Sequence, residues 1–318
     1  MKKRGILGLV MVLGTILCLS VNGRAEIYYY YEIGHGSATD INDNGQVTGD
    51  GLTSTPGQKN AFLWTMATGM QFLGGLGPGR TSYGQGINNI GQVVGQSQVS
   101  NGSHAFLWTA KTGMQDLGTF NGGYSTANGI NSNGQVVGES DNRAFLWQNG
   151  VMTSIGNSGS SALAINDNGQ VVGNFLTNGG GYGSAQSINN NGQAVGSSAS
   201  GHAILWDGGM QDLGNWSPLH INDKGQIVGT FDVAGTSHAS IWFGGILKDL
   251  NELVDSSTPL PTGEYLLAAY AINEGGQIVG RTQNGHAFLL TPVPLPSTVL
   301  LLGSGLLGLV GWRRFRKS

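Results

Sequence analysis

Cysteine is almost missing from these 318 residues. The one copy, Cys18, lies in an apolar stretch near the start, so the remaining chain has neither disulfide nor thiol chemistry and depends on packing for stability. Charge is scarce as well, at 10% of residues against a typical ~25%. Disorder normally pairs low hydrophobicity with high charge, whereas here 39% of residues are apolar and recur in register, so the chain reads as folded. Also absent are a Gly-x-Ser-x-Gly elbow, a phosphate loop, a His-Glu-x-x-His pair and a dinucleotide fingerprint, which leaves no catalytic residue to nominate. The few basic residues sit mostly at the two ends. Setting aside eight of them (Lys2, Lys3, Arg4, Arg24, Arg313, Arg314, Arg316 and Lys317) leaves 7 basic against 18 acidic residues in 26–296, a formal charge of −11 that disfavours nucleic acid and anionic lipid.

What the chain has in excess is glycine, 56 residues, and repetition. The pattern Ile-Asn-x-x-Gly-Gln-x-x-Gly begins at Ile41, Ile87, Ile130, Ile165, Ile188, Ile221 and Ile272. A second, Ala-Phe-Leu-Trp or a variant, begins at Ala61, Ala105, Ala144, Ala203, Ala239 and Ala287, and four copies are preceded by His104, His202, His238 and His286. A third, Gly-Met-Gln-x-Leu-Gly, begins at Gly69, Gly113 and Gly209. Asn-Gly at 44–45, 133–134, 168–169 and 191–192 favours a tight turn, so Ile-Asn and Gln-Val-Val read as the arms of a hairpin. Consecutive large apolar residues in Phe-Leu-Trp place side chains on both sheet faces, so both faces need cover. Four such strands make a blade, and blades that cover one another favour a β-propeller of six or seven antiparallel blades, with a β-solenoid as the alternative.

The last unit ends at His286-Ala287-Phe288-Leu289-Leu290 without a fourth strand, while Tyr28–Gly34 precedes the first hairpin and resembles the missing one. Pairing the two would close the ring and remove an exposed edge. Only 23 residues separate Ile165 from Ile188, so one unit is expected to be degenerate, down to two strands. In this reading Trp108 is buried between blades. The repeats resemble the HAF repeats of secreted bacterial proteins, through His104-Ala105-Phe106 and His286-Ala287-Phe288, over residues 26–291. That resemblance implies an extracellular location.

The repeated histidines belong to different units, so structural roles fit them better than a metal site. Asp116, Asp212 and Asp249 occupy one repeat position and read as a solvated blade edge. Asn131, Gln135 and their equivalents read as turn residues bonded to local backbone, with a polar binding ring as the alternative. Asp40-Ile41-Asn42-Asp43-Asn44-Gly45 starts like a calcium loop, but Gly51 stands where the closing acid belongs, so calcium is a weak expectation and no other cofactor is expected.

The two ends carry addresses. Residues 1–25 have a basic start, an apolar run from Ile6 to Val21, and Gly23 and Ala25 placed for cleavage after Ala25, the layout of a signal peptide. Residues 292–318 carry Pro294-Leu295-Pro296, an uncharged apolar run expected to form a single helix, and the basic stop Arg313, Arg314, Arg316 and Lys317. This tail resembles the PEP-CTERM sorting signal of Gram-negative bacteria, with Leu295 where the namesake motif has Glu. The resemblance implies an exosortase as processing partner, a transient inner-membrane anchor through the helix, and delivery to the outer surface or extracellular matrix. The functional expectation is an exported structural, adhesive or binding module, partnered by extracellular polysaccharide or a surface protein. A carbohydrate-binding propeller is the alternative, and a channel-sited hydrolase or lyase is a third option that requires acids or histidines breaking the repeat.

Overall fold

A computed structural model of the chain describes residues 27–174 and 183–294. The signal peptide with Ala25, the residues Leu295 and Pro296, the expected apolar helix and the basic stop lie outside the described residues. Within them the fold is all-β and propeller-like, with every strand-to-strand ladder antiparallel. The only helical element described is a 3-10 turn, Leu250–Leu253. No helix among the described residues is long and apolar enough to cross a membrane.

Each full unit has the strand order read from the repeats. In the second, Ser82–Ile87 pairs with Val93–Val99, which pairs with Gly102–Thr109, which pairs with Gly113–Gly118. The hairpin itself differs from a two-residue Asn-Gly turn. Asn42 N–H donates to Gln46 O and Gly45 N–H to Asn42 O, so three residues form the loop and only Gly45 takes positive φ, at 72°. This is a type I turn closed by a left-handed glycine, which explains why all seven copies keep the Gly while the residue before it varies.

The blade count is corrected by the structure. In place of six or seven separate blades, the strands hydrogen-bond into five sheets, three of four strands, one of six and one of seven. The seven-stranded sheet arises because Tyr28–Ile41 is a single 14-residue strand. Its front half pairs with His286–Pro292 and its back half with Val47–Leu52, so the first and last units share it. The six-stranded sheet arises because, among the described residues, the fourth hairpin contributes Ser161–Ile165 and Val171–Asn174, and Asn174 pairs with Ser184 of the next unit. Closure through the tyrosine-rich strand therefore holds, and it excludes the open solenoid.

The core is built on Phe more than on Trp. Phe62, Phe106, Phe145 and Phe288 are fully buried, as are all six repeat alanines, whose small size lets adjacent sheets approach. Each Phe contributes roughly 2–3 kcal/mol by leaving water. Trp64 is buried, but Trp108, Trp147 and Trp242 are only half-buried and Trp206 is 48% exposed. The expected burial of Trp108 between blades is thus corrected: its indole packs against the cluster of Ala61, Ile87, Val93 and Phe106 but leaves part of its surface exposed. A serine opening each of three units clasps the one before it. Ser82, Ser125 and Ser160 Oγ accept from the N–H of Ala61, Ala105 and Ala144 at 2.9, 2.8 and 3.0 Å.

Candidate functional site

The seven Ile-Asn hairpins gather around one axis. Each Asn is nearly or wholly buried and works in two directions. Its Oδ1 accepts the N–H of the Gln four residues on, as Asn131 does from Gln135 at 3.0 Å, and its Nδ2 donates to that Gln Oε1, here at 2.7 Å. The second Nδ2 hydrogen reaches the next hairpin. Asn42 donates to Asn88 O, Asn88 to Asn131 O, Asn131 to Asn166 O, Asn166 to Asn189 O, Asn189 to Asn222 O, Asn222 to Asn273 O, and Asn273 back to Asn42 O, all at 2.9–3.1 Å. The ring is closed. Turn residue and ring residue, posed as alternatives in the sequence, are the same residue, and the ring's polar groups bond one another.

A second belt lies one residue outward. Asp43 accepts from the Glu274 N–H at 3.0 Å, Asn89 from Asp43, Asp167 from Ser132, Asn190 from Asp167, Asp223 from Asn190, and Glu274 from Asp223. This makes an acidic mouth of Asp43, Asp167, Asp223 and Glu274. Burial, with Asp223 and Asp43 nearby, raises the Glu274 carboxyl above the ordinary carboxylate range.

The mouth opens into a cavity of about 190 Å³ walled by the Ile-Asn backbones. Two side chains on its floor break the repeat. Asp40 and His220 stand directly before Ile41 and Ile221, where the other units have Gly86, Gly129, Ala164, Ser187 and Ala271. Asp40 Oδ1 accepts from Ile41 N–H at 2.9 Å and Oδ2 from Ile87 N–H at 2.8 Å. Burial nevertheless pushes this carboxyl up to about 7. His220 Nδ1 accepts from Ile272 N–H at 3.4 Å, and burial lowers the imidazole to about 4. A carboxyl disposed to hold a proton and an imidazole disposed to stay neutral thus share one small chamber.

The calcium-loop reading is not assembled here. Both oxygens of Asp40 hold backbone N–H groups, Asn42 Oδ1 holds Asn44 and Gln46, and Asp43 holds Glu274 and Asn89. Among the described residues no group of three His, Cys, Asp or Glu stands where it would hold a metal.

The repeated histidines and aspartates, assigned separately in the sequence, meet on the outer strands. His104 Nδ1 lies 2.9 Å from Asp116 Oδ2, His202 2.8 Å from Asp212, and His238 2.6 Å from Asp249. Each Asp also accepts an N–H two residues on, from Gly118, Gly214 and Asn251. The reading of these carboxylates as a merely solvated edge is therefore corrected, since they tie the third strand of a unit to its fourth. The His202 hydrogen bond holds the exposed Asp212 carboxyl below its ordinary value. His286 has no such Asp and pairs instead with the buried Glu264 at 3.0 Å.

The closing strand ends at Pro292, at the start of the tail. Residues 292–317 match the PEP-CTERM protein-sorting motif. No curated protein sequence matches the chain. Among solved structures the fold is similar to a streptogramin B lyase, at 11% identity and TM-score 0.54 over 84% of this chain and 98% of that one. Similarities at lower scores include a virginiamycin B lyase from Staphylococcus aureus (14% identity, TM-score 0.43, 84% and 100% covered). Another is a putative gluconolactonase (8% identity, TM-score 0.46, 86% and 95% covered). At such identities the first of these supports the propeller-like fold and nothing about chemistry.

Proposed function

We propose that this chain is an exported protein, sorted to the cell surface through its C-terminal motif, where the closed β-ring serves as a structural, adhesive or binding module without enzymatic activity. The carrying observation is the PEP-CTERM match at 292–317. That motif implies export and recognition by an exosortase. The architecture supports a non-enzymatic role in a specific way: the recurring polar residues bond one another. The Asn and Gln bond each other around the ring, and three of the four repeat histidines bond the repeat aspartates. The −11 charge of residues 26–296 suits an uncharged polysaccharide or a basic surface protein as partner better than an anionic one. The HAF-like repeats and the signal-peptide layout of residues 1–25 point to the same extracellular destination.

Intact-mass measurement of the protein recovered from membrane and from medium tests this reading. The expected species starts at Glu26 and has lost the apolar and basic residues that follow Pro296. A chain of unchanged mass confined to the cytoplasm would overturn it.

A further inference from the structure

We propose that the floor of the central channel is a binding site for a small, uncharged, hydroxyl-rich ligand. This inference concerns the chamber itself and is independent of export. Four of the seven positions at this level are glycine or alanine, namely Gly86, Gly129, Ala164 and Ala271, so closing the ring does not require a polar side chain there. Asp40 and His220 are nevertheless polar and line the same cavity.

Their geometry shows what they offer. His220 Nδ1 accepts from Ile272, which places the ring proton on Nε2 and leaves that N–H as a donor at the lumen. Asp40 uses one lone pair of each oxygen on Ile41 and Ile87 and keeps the others open. The matching N–H groups of Ile130, Ile165 and Ile188 have no such side-chain acceptor, because Gly86, Gly129 and Ala164 precede them around the ring. The carboxyl and the imidazole therefore share this chamber with backbone N–H groups that no side chain caps.

Charge and size narrow the class. The mouth carboxylates Asp43, Asp167, Asp223 and Glu274 repel an anion. A cation that passed them would meet an Asp40 carboxyl already holding two backbone N–H groups. A neutral ligand with alternating donors and acceptors, such as a monosaccharide or cyclic polyol, satisfies both. The cavity of about 190 Å³ is below the ~300 Å³ at which pockets for drug-sized ligands begin, so a single ring fits and an oligomer does not.

The test is saturation-transfer NMR and calorimetry on the full-length chain in a zwitterionic detergent, with D-glucose, D-galactose and myo-inositol as probes and D-glucuronate as anionic control. At least one neutral probe should bind saturably with a Kd of about 1–10 mM, and glucuronate at least about tenfold more weakly. Asp40→Ala and His220→Ala place at these positions the residue that units four and seven already carry, and each should weaken binding about fivefold or more. If Asp40→Ala fails to fold, His220→Ala alone decides. Absence of saturable binding by all three neutral probes, equal binding of glucuronate, or unchanged affinity in His220→Ala would overturn the proposal.

Discussion

Asn131→Ala removes one link of the closed ring, and its cost can be worked from four hydrogen bonds. Nδ2 donates to Gln135 Oε1 at 2.7 Å and to Asn166 O at 3.0 Å, while Oδ1 accepts from Asn133 N–H at 3.1 Å and Gln135 N–H at 3.0 Å. At about 1 kcal/mol net apiece the loss is about 4 kcal/mol, reduced toward 3 if water from the lumen reaches part of the exposed turn. Asn131→Asp sharpens the test, because it keeps the acceptor and loses both donors, aiming a carboxylate at the Asn166 carbonyl. Its loss at pH 7 should be at least as large as that of the alanine variant. Asn133→Ala is the control, since its Nδ2 bond to Asp167 O lies at the exposed turn and should contribute under about 1 kcal/mol. Urea unfolding followed by tryptophan fluorescence gives all three midpoints. If Asn131→Ala falls within about 1 kcal/mol of the unaltered protein, or Asn133→Ala costs as much, the ring does not hold the fold together.

Three further outcomes follow from burial and charge. Phe106→Ala should cost about 3–5 kcal/mol in unfolding free energy and Trp206→Ala less than about 1, since the first is fully buried and the second is 48% exposed; equal losses would reverse the assignment of the core. A methyl group at Gly95 would sit 1.9 Å from the Tyr83 carbonyl oxygen, whereas one at Gly209 meets nothing within 4 Å. Gly95→Ala should therefore lower the unfolding free energy by about 3 kcal/mol or more, and Gly209→Ala should leave it nearly unchanged. Asp40, raised from 3.8 to about 7, holds more protons folded than unfolded and pulls stability down as pH rises across that window, whereas His220, lowered from 6.5 to about 4, holds fewer and pulls stability up between those values. Urea midpoints of His220→Ala should accordingly fall from pH 4 to 7 and those of Asp40→Ala should rise from pH 4 to 6.5, and slopes of the same sign would contradict the assignment.

The sequence discloses those features that recur, and it conceals those decided by register. Seven Ile-Asn hairpins and a displaced tyrosine-rich strand are enough to anticipate a closed ring, because an unpaired edge at His286–Leu290 needs a partner and Tyr28–Tyr31 is the segment left over. The meeting of His104 with Asp116 is not legible, since it depends on a β-bulge that shifts the pairing between Ala105 and Phe106, and the same shift recurs between Ala203 and Ile204. Nor is the exposure of the tryptophans legible, because unbroken apolar runs mark both faces for burial without saying how far along the strand the neighbouring sheet extends.

The merged sheets are hidden for a related reason. Nothing in Glu32-Ile33-Gly34-His35-Gly36 says that a strand continues through it, yet Gly34 and Gly36 adopt φ of 142° and 144°, which lets one strand turn from the last unit into the first. The channel floor is different again, for its signal lies in the departures from the repeat. A repeat supplies its own baseline: the position before Ile is Gly or Ala in four copies, Ser187 in a fifth, and Asp40 and His220 in the other two, and the three polar side chains each accept an N–H from the next unit. The shared Asn and Gln explain how the hairpins link around the ring, and the departures at Asp40 and His220 are where the proposed binding of a neutral ligand is tested.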